Sequence, residues 1–148
     1  MMKEVKVSEL TGAALDLSVA MAQGYKWMVE FGAYGSPPRI VVELPEPSVD
    51  REMVYRPSSD WSQGGPLIKD YNVMLSPPSS AVHRNYGYMD KRNGYEEAGL
   101  WGTTIFAKER KHRRTAFHHK DDPLIPAMQA IVQFELGDVL QIPDELVN

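Results

Sequence analysis

The segment SELTGAALDLSVAMAQG, residues 8–24, decides the start of the fold because it carries a strong helical pattern near the beginning of the chain. Ser8 or Thr11 supplies a hydroxyl that caps the free backbone N–H groups, and the pattern does not choose between them. Gly24 suits the left-handed position just beyond a helix end. The apolar face contains Leu10, Ala14, Leu17 and Met21. The segment therefore predicts an amphipathic N-terminal helix with one face against the core.

The segment DDPLIPAMQAIVQFELG, residues 121–137, predicts a second helix near the other end of the chain. Asp122 is its cap, Pro123 takes the tolerant first position, and Gly137 ends it. Pro126 also falls in the first turn, where its missing N–H leaves no hydrogen bond unmade. The apolar face contains Leu124, Met128, Ile131 and Val132.

Short β-branched and aromatic runs lie between and after these helices and predict strands. They occupy residues 25–31, 39–44, 72–75, 103–108 and 139–142. Because strands and helices do not alternate regularly, the pattern favours an α+β fold, with a mainly antiparallel sheet of about four to five short strands and both helices on one face. We expect residues 1–148 to form a single domain with an insertion or long hairpin around 76–120.

The composition is typical of a globular domain. The chain has 148 residues, of which 43% are hydrophobic and 24% charged, and its formal net charge is −4. No apolar run reaches the roughly 18–20 residues that cross a bilayer, and residues 1–10 lack a signal-peptide pattern, so we expect a cytoplasmic protein with no membrane partner. The absence of cysteine excludes disulfides, thiolate nucleophiles and cysteine-ligated metals.

The segment YRPSSDWSQGGPLI, residues 55–68, has the chemistry of a ligand-binding loop. Its aromatic rings offer stacking faces, its arginine offers a forked donor for phosphate or carboxylate, and its glycines let the backbone approach a ligand. The predicted ligand-binding residues here are Tyr55, Arg56, Ser58, Ser59, Trp61, Gln63, Gly64 and Gly65. Neither a Walker loop nor a Rossmann fingerprint is present.

A purely structural interpretation of the same loop stays open. In that interpretation Trp61 plugs the core and Asp60 ties the turn through its side chain. Gly64, Gly65 and Pro66 then reverse the chain before a short helical turn at residues 67–71.

The segment KERKHRRTAFHHK, residues 108–120, concentrates positive charge in an otherwise acidic chain. Arg113 and Arg114 are the predicted phosphate contacts of this stretch. The overall isoelectric point of about 5.5 disfavours duplex nucleic acid as a partner. Binding of one small polyanion is compatible with this overall charge. The structural alternative is a solvated hairpin or loop.

His118, His119, Asp121 and Asp122 are metal-ligating residue types at the end of that stretch. Adjacent histidines on a strand point to opposite faces, and no HExxH motif is present, so we predict no metal and no other cofactor. No serine–histidine–acid triad stands out, and we predict no catalytic residue.

The segment NYGYMDKRNGYEEAGLW, residues 85–101, is rich in aromatic side chains. It has the composition of an interface or pocket wall. It equally suits a hairpin whose aromatics pack across strands around an Asn93-Gly94 turn.

Three blocks together resemble a known family. KVSELTGAALDLSVA (residues 6–20), YRPSSDWSQGGPLI (55–68) and PLIPAMQAIVQFELGDVLQIPDEL (123–146) resemble, in that order, the NinX-like small accessory proteins of tailed phages. Residues 39–47 and 86–120 look like additions relative to shorter members. The resemblance implies a non-virion product made in the cytoplasm of the infected bacterial host, in a family described as of unknown function, and it brings no catalytic residues.

The sequence thus favours a non-enzymatic phage accessory protein that binds a small phosphorylated or nucleotide ligand, with sequestration of a host immune signal (counter-defence) as its use. A symmetric homo-oligomer would enclose such a ligand better than one copy. The alternative is a protein-interaction module that inhibits or redirects a host protein. A metal-dependent hydrolase is a remote third hypothesis.

Overall fold

The computed structural model describes residues 1–44, 51–77, 100–105, 115–119 and 122–147, and for 115–119 the backbone alone. In chain order the elements are β1 (Met2–Lys6), α1 (Gly12–Ala22), β2 (Trp27–Glu30), β3 (Arg39–Glu43), β4 (Glu52–Tyr55), α2 (Trp61–Asp70), β5 (Val73–Ser76), β6 (Trp101–Ile105), β7 (Thr115–His119), α3 (Leu124–Leu136) and β8 (Val139–Pro143). Single 3-10 turns follow β1 and β8, at Val7–Glu9 and Asp144–Leu146.

The predicted α+β class and the antiparallel pairing are confirmed. In the described ranges the strands are distributed over three sheets, with the orders β1-β8, β2-β3-β4 and β5-β6-β7, and every pairing there is antiparallel. Strands β1, β4 and β7 had no clear sequence signal. In β1 the single buried residue is Val5, so its strand conformation depends on pairing with β8. The proposed insertion around 76–120 falls largely outside the described residues.

Helix α1 lies at the centre of the molecule. It packs on α3 and also contacts β2, β3, β4 and β8, whereas α3 packs on β6 and β7. Every residue from 14 to 20 is buried, and so is every residue from 126 to 132 of α3. The prediction of one apolar face for each helix is therefore wrong, because several elements cover each helix on different sides. None of the described helices is both long enough and apolar enough to span a membrane.

The helix ends lie close to where they were predicted, with differences in the caps. Thr11 takes the N-cap position of α1, although its hydroxyl makes no capping hydrogen bond, and Gly24 follows the helix end with φ of 73°. At α3, the Leu124 N–H donates to the Asp122 carboxylate at 2.8 Å, although Pro123 occupies the N-cap position. Gly137 ends α3 with φ of 94°.

Tyr71, just after α2, joins the C-terminal ends of α1, α2 and α3. Its hydroxyl donates to Glu135 Oε1 at 2.8 Å and accepts from Gln23 Nε2 at 3.0 Å. Its ring meets Phe134 edge to face, with the centroids 5.9 Å apart. Partial burial, with the hydrogen bond to Glu135, raises the pKa of Tyr71 to about 12. These contacts hold α2, and the loop before it, against the two central helices.

Candidate functional site

The loop between β4 and α2 is a tight turn. The N–H groups of Ser59 and Asp60 both donate to the Arg56 carbonyl, at 3.1 and 2.8 Å. The Asp60 carboxylate then accepts from the Ser62 N–H at 2.9 Å and from the Ser62 hydroxyl at 2.6 Å. These hydrogen bonds lower the pKa of Asp60, the hydroxyl bond most of all. The predicted side-chain tie of Asp60 is confirmed, and it acts as the N-cap of α2.

Two features of the purely structural interpretation of residues 55–68 are wrong in helix α2. The helix begins at Trp61, so Gly64, Gly65 and Pro66 lie inside it and do not reverse the chain. The Asp60 cap starts the helix ahead of the glycines, and the Gly64 N–H donates to the Asp60 carbonyl at 2.8 Å. Trp61 does not plug the core, because its side chain at the first helical position is 53% exposed.

Gly64 permits close packing of α2. A Cβ at this position would lie 2.4 Å from the Pro57 carbonyl oxygen and 2.9 Å from Leu124 Cδ2. Gly65, by contrast, has no atom within 4 Å of its Cβ position. The Gly64 N–H is already bonded within the helix, so this glycine explains how the loop fits against α3.

The Gln63 side chain pairs with the end of β4 at one edge of the β2-β3-β4 sheet. In β4 the alternation of hydrogen bonds turns the backbone groups of Val54 and Arg56 away from β3. Gln63 Nε2 donates to the Val54 carbonyl at 2.9 Å, and Gln63 Oε1 accepts from the Arg56 N–H at 2.6 Å. The carboxamide therefore pairs with β4 as the backbone of a further strand would.

Replacing Gln63 with alanine is expected to lower the free energy of unfolding by about 1–2 kcal/mol, because two backbone groups lose their partner. Urea unfolding of the purified variant measures the change. Lys69→Ala, an exposed change in the last turn of the same helix, is the control and should be nearly neutral. Equal unfolding midpoints for Gln63→Ala and wild type would contradict this role.

A buried carboxylate that the sequence analysis missed anchors the loop from behind. Asp16, in the middle of α1, is 5% exposed, and its Oδ1 accepts from the Ser58 N–H at 2.9 Å. Burial raises the pKa of Asp16 to about 6, against the opposing effect of its hydrogen bonds from Ser58. The available signal was a lone acidic residue inside the apolar run ALDLSVA, residues 14–20.

Four of the predicted ligand-binding residues thus build the loop. Tyr55 is 4% exposed, and its ring meets Tyr25 edge to face at 5.5 Å. Burial raises the pKa of the Tyr55 hydroxyl. Ser58, Gln63 and Gly64 hold the turn and the helix through the contacts already described.

Three of the predicted residues face solvent. Arg56 and Ser59 lie in the turn and Trp61 begins α2, and all three are exposed. We call Arg56, Ser59 and Trp61 the Arg–Trp surface. Gly65 is half-buried within α2. Arg113 and Arg114 lie outside the described residues, as does the aromatic segment 85–101 up to residue 99.

Two clefts occur elsewhere on the described part of the chain. One, of about 380 Å³, lies beyond β2 and is lined by Glu30, Phe31, Gly32, Ser36, Pro37 and Arg39. The other, of about 350 Å³, lies beside the start of α1. The lining of neither includes a residue of the Arg–Trp surface.

The structure provides little for a metal site. Within the described ranges, no three side chains of histidine, aspartate or glutamate are grouped to hold a metal. Asp121 and the side chains of His118 and His119 lie outside the description, whereas the Asp122 carboxylate accepts the Leu124 N–H.

Two packed helices among three antiparallel sheets, with a braced loop that presents an arginine and a tryptophan, define a small α+β protein. The chain belongs to the phage P22 NinX family, because the family model described as Bacteriophage P22, NinX matches residues 6–134. That span contains α1, the loop and most of α3, so the resemblance drawn from the sequence blocks is confirmed. A comparison with curated proteins finds no match.

Proposed function

We propose that this phage-family protein acts in the cytoplasm of the infected host by binding a host protein through the Arg–Trp surface. One observation carries the proposal. Arg56, Ser59 and Trp61 are exposed on a turn whose neighbouring groups are bonded internally, to Asp16 on one side and to Gln63 on the other.

The internal hydrogen bonds of this turn favour a binding role. A side chain presented by an ordered backbone loses less conformational entropy on association than one on a free loop. Tryptophan and arginine are the residue types that most often contribute large binding energies at protein interfaces. The partner would offer an apolar pocket to the Trp61 indole and a carboxylate to the Arg56 guanidinium.

The solvent exposure of the Arg–Trp surface supports a protein partner over an enclosed small ligand. Small-molecule sites usually surround most of the ligand surface. Here Trp61 is 53% exposed, and Tyr55, Ser58 and Gln63, which were predicted to surround a ligand, are engaged in building the loop. Binding of a phosphorylated or nucleotide ligand, with the counter-defence use, stays a prediction that rests on the same Arg56 and Trp61.

The test captures partners from host lysate with tagged wild type, Arg56→Ala, Trp61→Ala and the control Lys69→Ala. Wild type and Lys69→Ala should retain one stoichiometric protein. Titration of that purified protein should show affinity lower by about thirtyfold for Trp61→Ala, as expected for an interface hot spot.

Two results would overturn the proposal: no stoichiometric partner, or equal capture by all four proteins. Melting temperatures of the variants, which should match wild type because both side chains are exposed, exclude unfolding as the cause. A melting-point increase with a nucleotide, absent in Arg56→Ala, would favour the small ligand instead.

A further inference from the structure

Within the part of the chain that the structure describes, the outer edge of β2 is an open sheet edge. The Glu43 N–H donates to the Lys26 carbonyl, which sets the alternation along the β2-β3 pair. This alternation directs the backbone N–H and C=O groups of Met28 toward β3, and those of Trp27 and Val29 away from β3. Among the described residues, nothing pairs with those outward groups.

At the opposite edge of the same sheet, Gln63 already occupies the Val54 carbonyl and the Arg56 N–H, as described above. An open edge is a template for pairing with another strand, and proteins that stay monomeric usually cover or interrupt it. The side chains at the open edge are also unusually apolar for a surface: Met28 is 48% exposed and Phe31, just beyond the strand, 62%. Trp27 is partly exposed as well.

We infer that a second copy of this chain pairs with β2, antiparallel and about a two-fold axis at Met28. In this register Met28 faces Met28 of the second copy. The outward N–H and C=O groups of Trp27 then exchange hydrogen bonds with those of Val29 of the second copy. By symmetry, Val29 pairs in the same way with Trp27 of the second copy. The two three-stranded sheets then form one continuous sheet.

Charge complementarity selects this register. Lys26, Met28 and Glu30 share the face of the sheet that carries Val41, opposite the core-facing Val29 and Ile40. Pairing about Met28 sets Lys26 opposite Glu30 of the second copy, twice in the dimer.

The complementarity extends along the whole row. Arg39 Nε already lies 2.5 Å from Glu30 Oε2, and Lys26 Nζ lies 3.9 Å from Glu43 Oε2. Across the dimer the row therefore alternates in sign, from Arg39 and Glu30 to Lys26 and Glu43 of the second copy. Opposite charges that face each other across strands stabilise a pairing, and like charges destabilise it.

Complementary charge reversal tests the inference with the full chain alone and needs no host partner. In its homodimer Lys26→Glu sets two acidic side chains opposite each other, and Glu30→Lys sets two basic side chains opposite each other. Sedimentation should detect a wild-type dimer between about 1 and 500 μM, the range of weak to moderate affinities. Each variant alone should dimerise at least about tenfold more weakly than wild type.

An equimolar mixture of the two variants should recover the dimer, because every acidic side chain of one variant at these two positions then faces a basic side chain of the other. Far-UV circular dichroism and melting of each variant verify folding, which these exposed changes should leave intact. The inference is overturned if wild type is monomeric throughout this range. It is also overturned if either variant dimerises as wild type does, or if the mixture fails to recover the dimer.

Discussion

Gly64→Ala is expected to destabilise the protein by about 2–3 kcal/mol, the cost of overpacking a close contact. The added methyl group would lie 2.4 Å from the Pro57 carbonyl oxygen, which belongs to the backbone and cannot move without disturbing the turn. It would also lie 2.9 Å from Leu124 Cδ2. For a chain of this length the melting temperature should fall by roughly 5–10 °C. Thermal unfolding followed by circular dichroism measures it.

Gly65→Ala is the matched control because the two glycines are adjacent in the same helix. Its Cβ position is open, and alanine is a better helix former than glycine, so this variant should gain up to about 1 kcal/mol. The two neighbouring substitutions thus change stability in opposite directions. If Gly64→Ala were as stable as Gly65→Ala, the close approach of α2 to the loop would be refuted.

Asp16→Asn is expected to remove a pH dependence of stability between about pH 4 and pH 6. The ordinary pKa of this carboxyl, 3.8, is raised to about 6 in the folded protein. Between these values the folded state holds a proton that the unfolded state has released. Protonation of Asp16 therefore contributes to the free energy of unfolding in full below about pH 4, and this contribution is lost as pH rises through 6. Its full size is roughly 3 kcal/mol.

Urea unfolding of wild type and Asp16→Asn at pH 4, 5, 6 and 7 measures this effect. The asparagine keeps an oxygen that accepts the Ser58 N–H but does not titrate. All other carboxylates contribute equally to both proteins, so the difference in unfolding free energy isolates Asp16. Wild type should lose stability relative to the variant as pH rises. Parallel curves for the two proteins would show that the buried carboxyl has an ordinary pKa.

Features that depend on neighbours in sequence could be predicted for this chain. The Asp122 contact with the helix start, Pro126 in the first turn of α3 and the glycines after the two long helices are local signals, and they lie where expected. Pro123 lies at the N-cap, one position before its predicted place. The burial of α1 on all sides could not be predicted, because it depends on which elements pack around the helix. Gly64 and Gly65 favoured a turn locally, and the Asp60 cap with tertiary packing overrode that preference.

The candidate site was predicted only in part, because some of its features follow from residue type and others from contacts between distant parts of the chain. Arg56 and Trp61 could be selected by residue type, and both are exposed. The role of Asp16 depends on Ser58, which lies 42 residues later in the chain, and no local pattern reports such a contact. Gln63 was selected as a ligand contact, but its hydrogen bonds to Val54 and Arg56 need a strand β4 that had no clear signal.

The contact of Gln63 with β4 also bears on how large an assembly could become. A sheet open on both sides can add subunits head to tail without limit and grow into a filament. Here the Gln63 carboxamide occupies two of the outward backbone groups of β4 that an added strand would need, which disfavours β-sheet addition at that edge and leaves β2 as the favoured edge. The dimer proposed above would then stop at two subunits, since Gln63 hinders the addition of a third subunit at the remaining edge of this sheet.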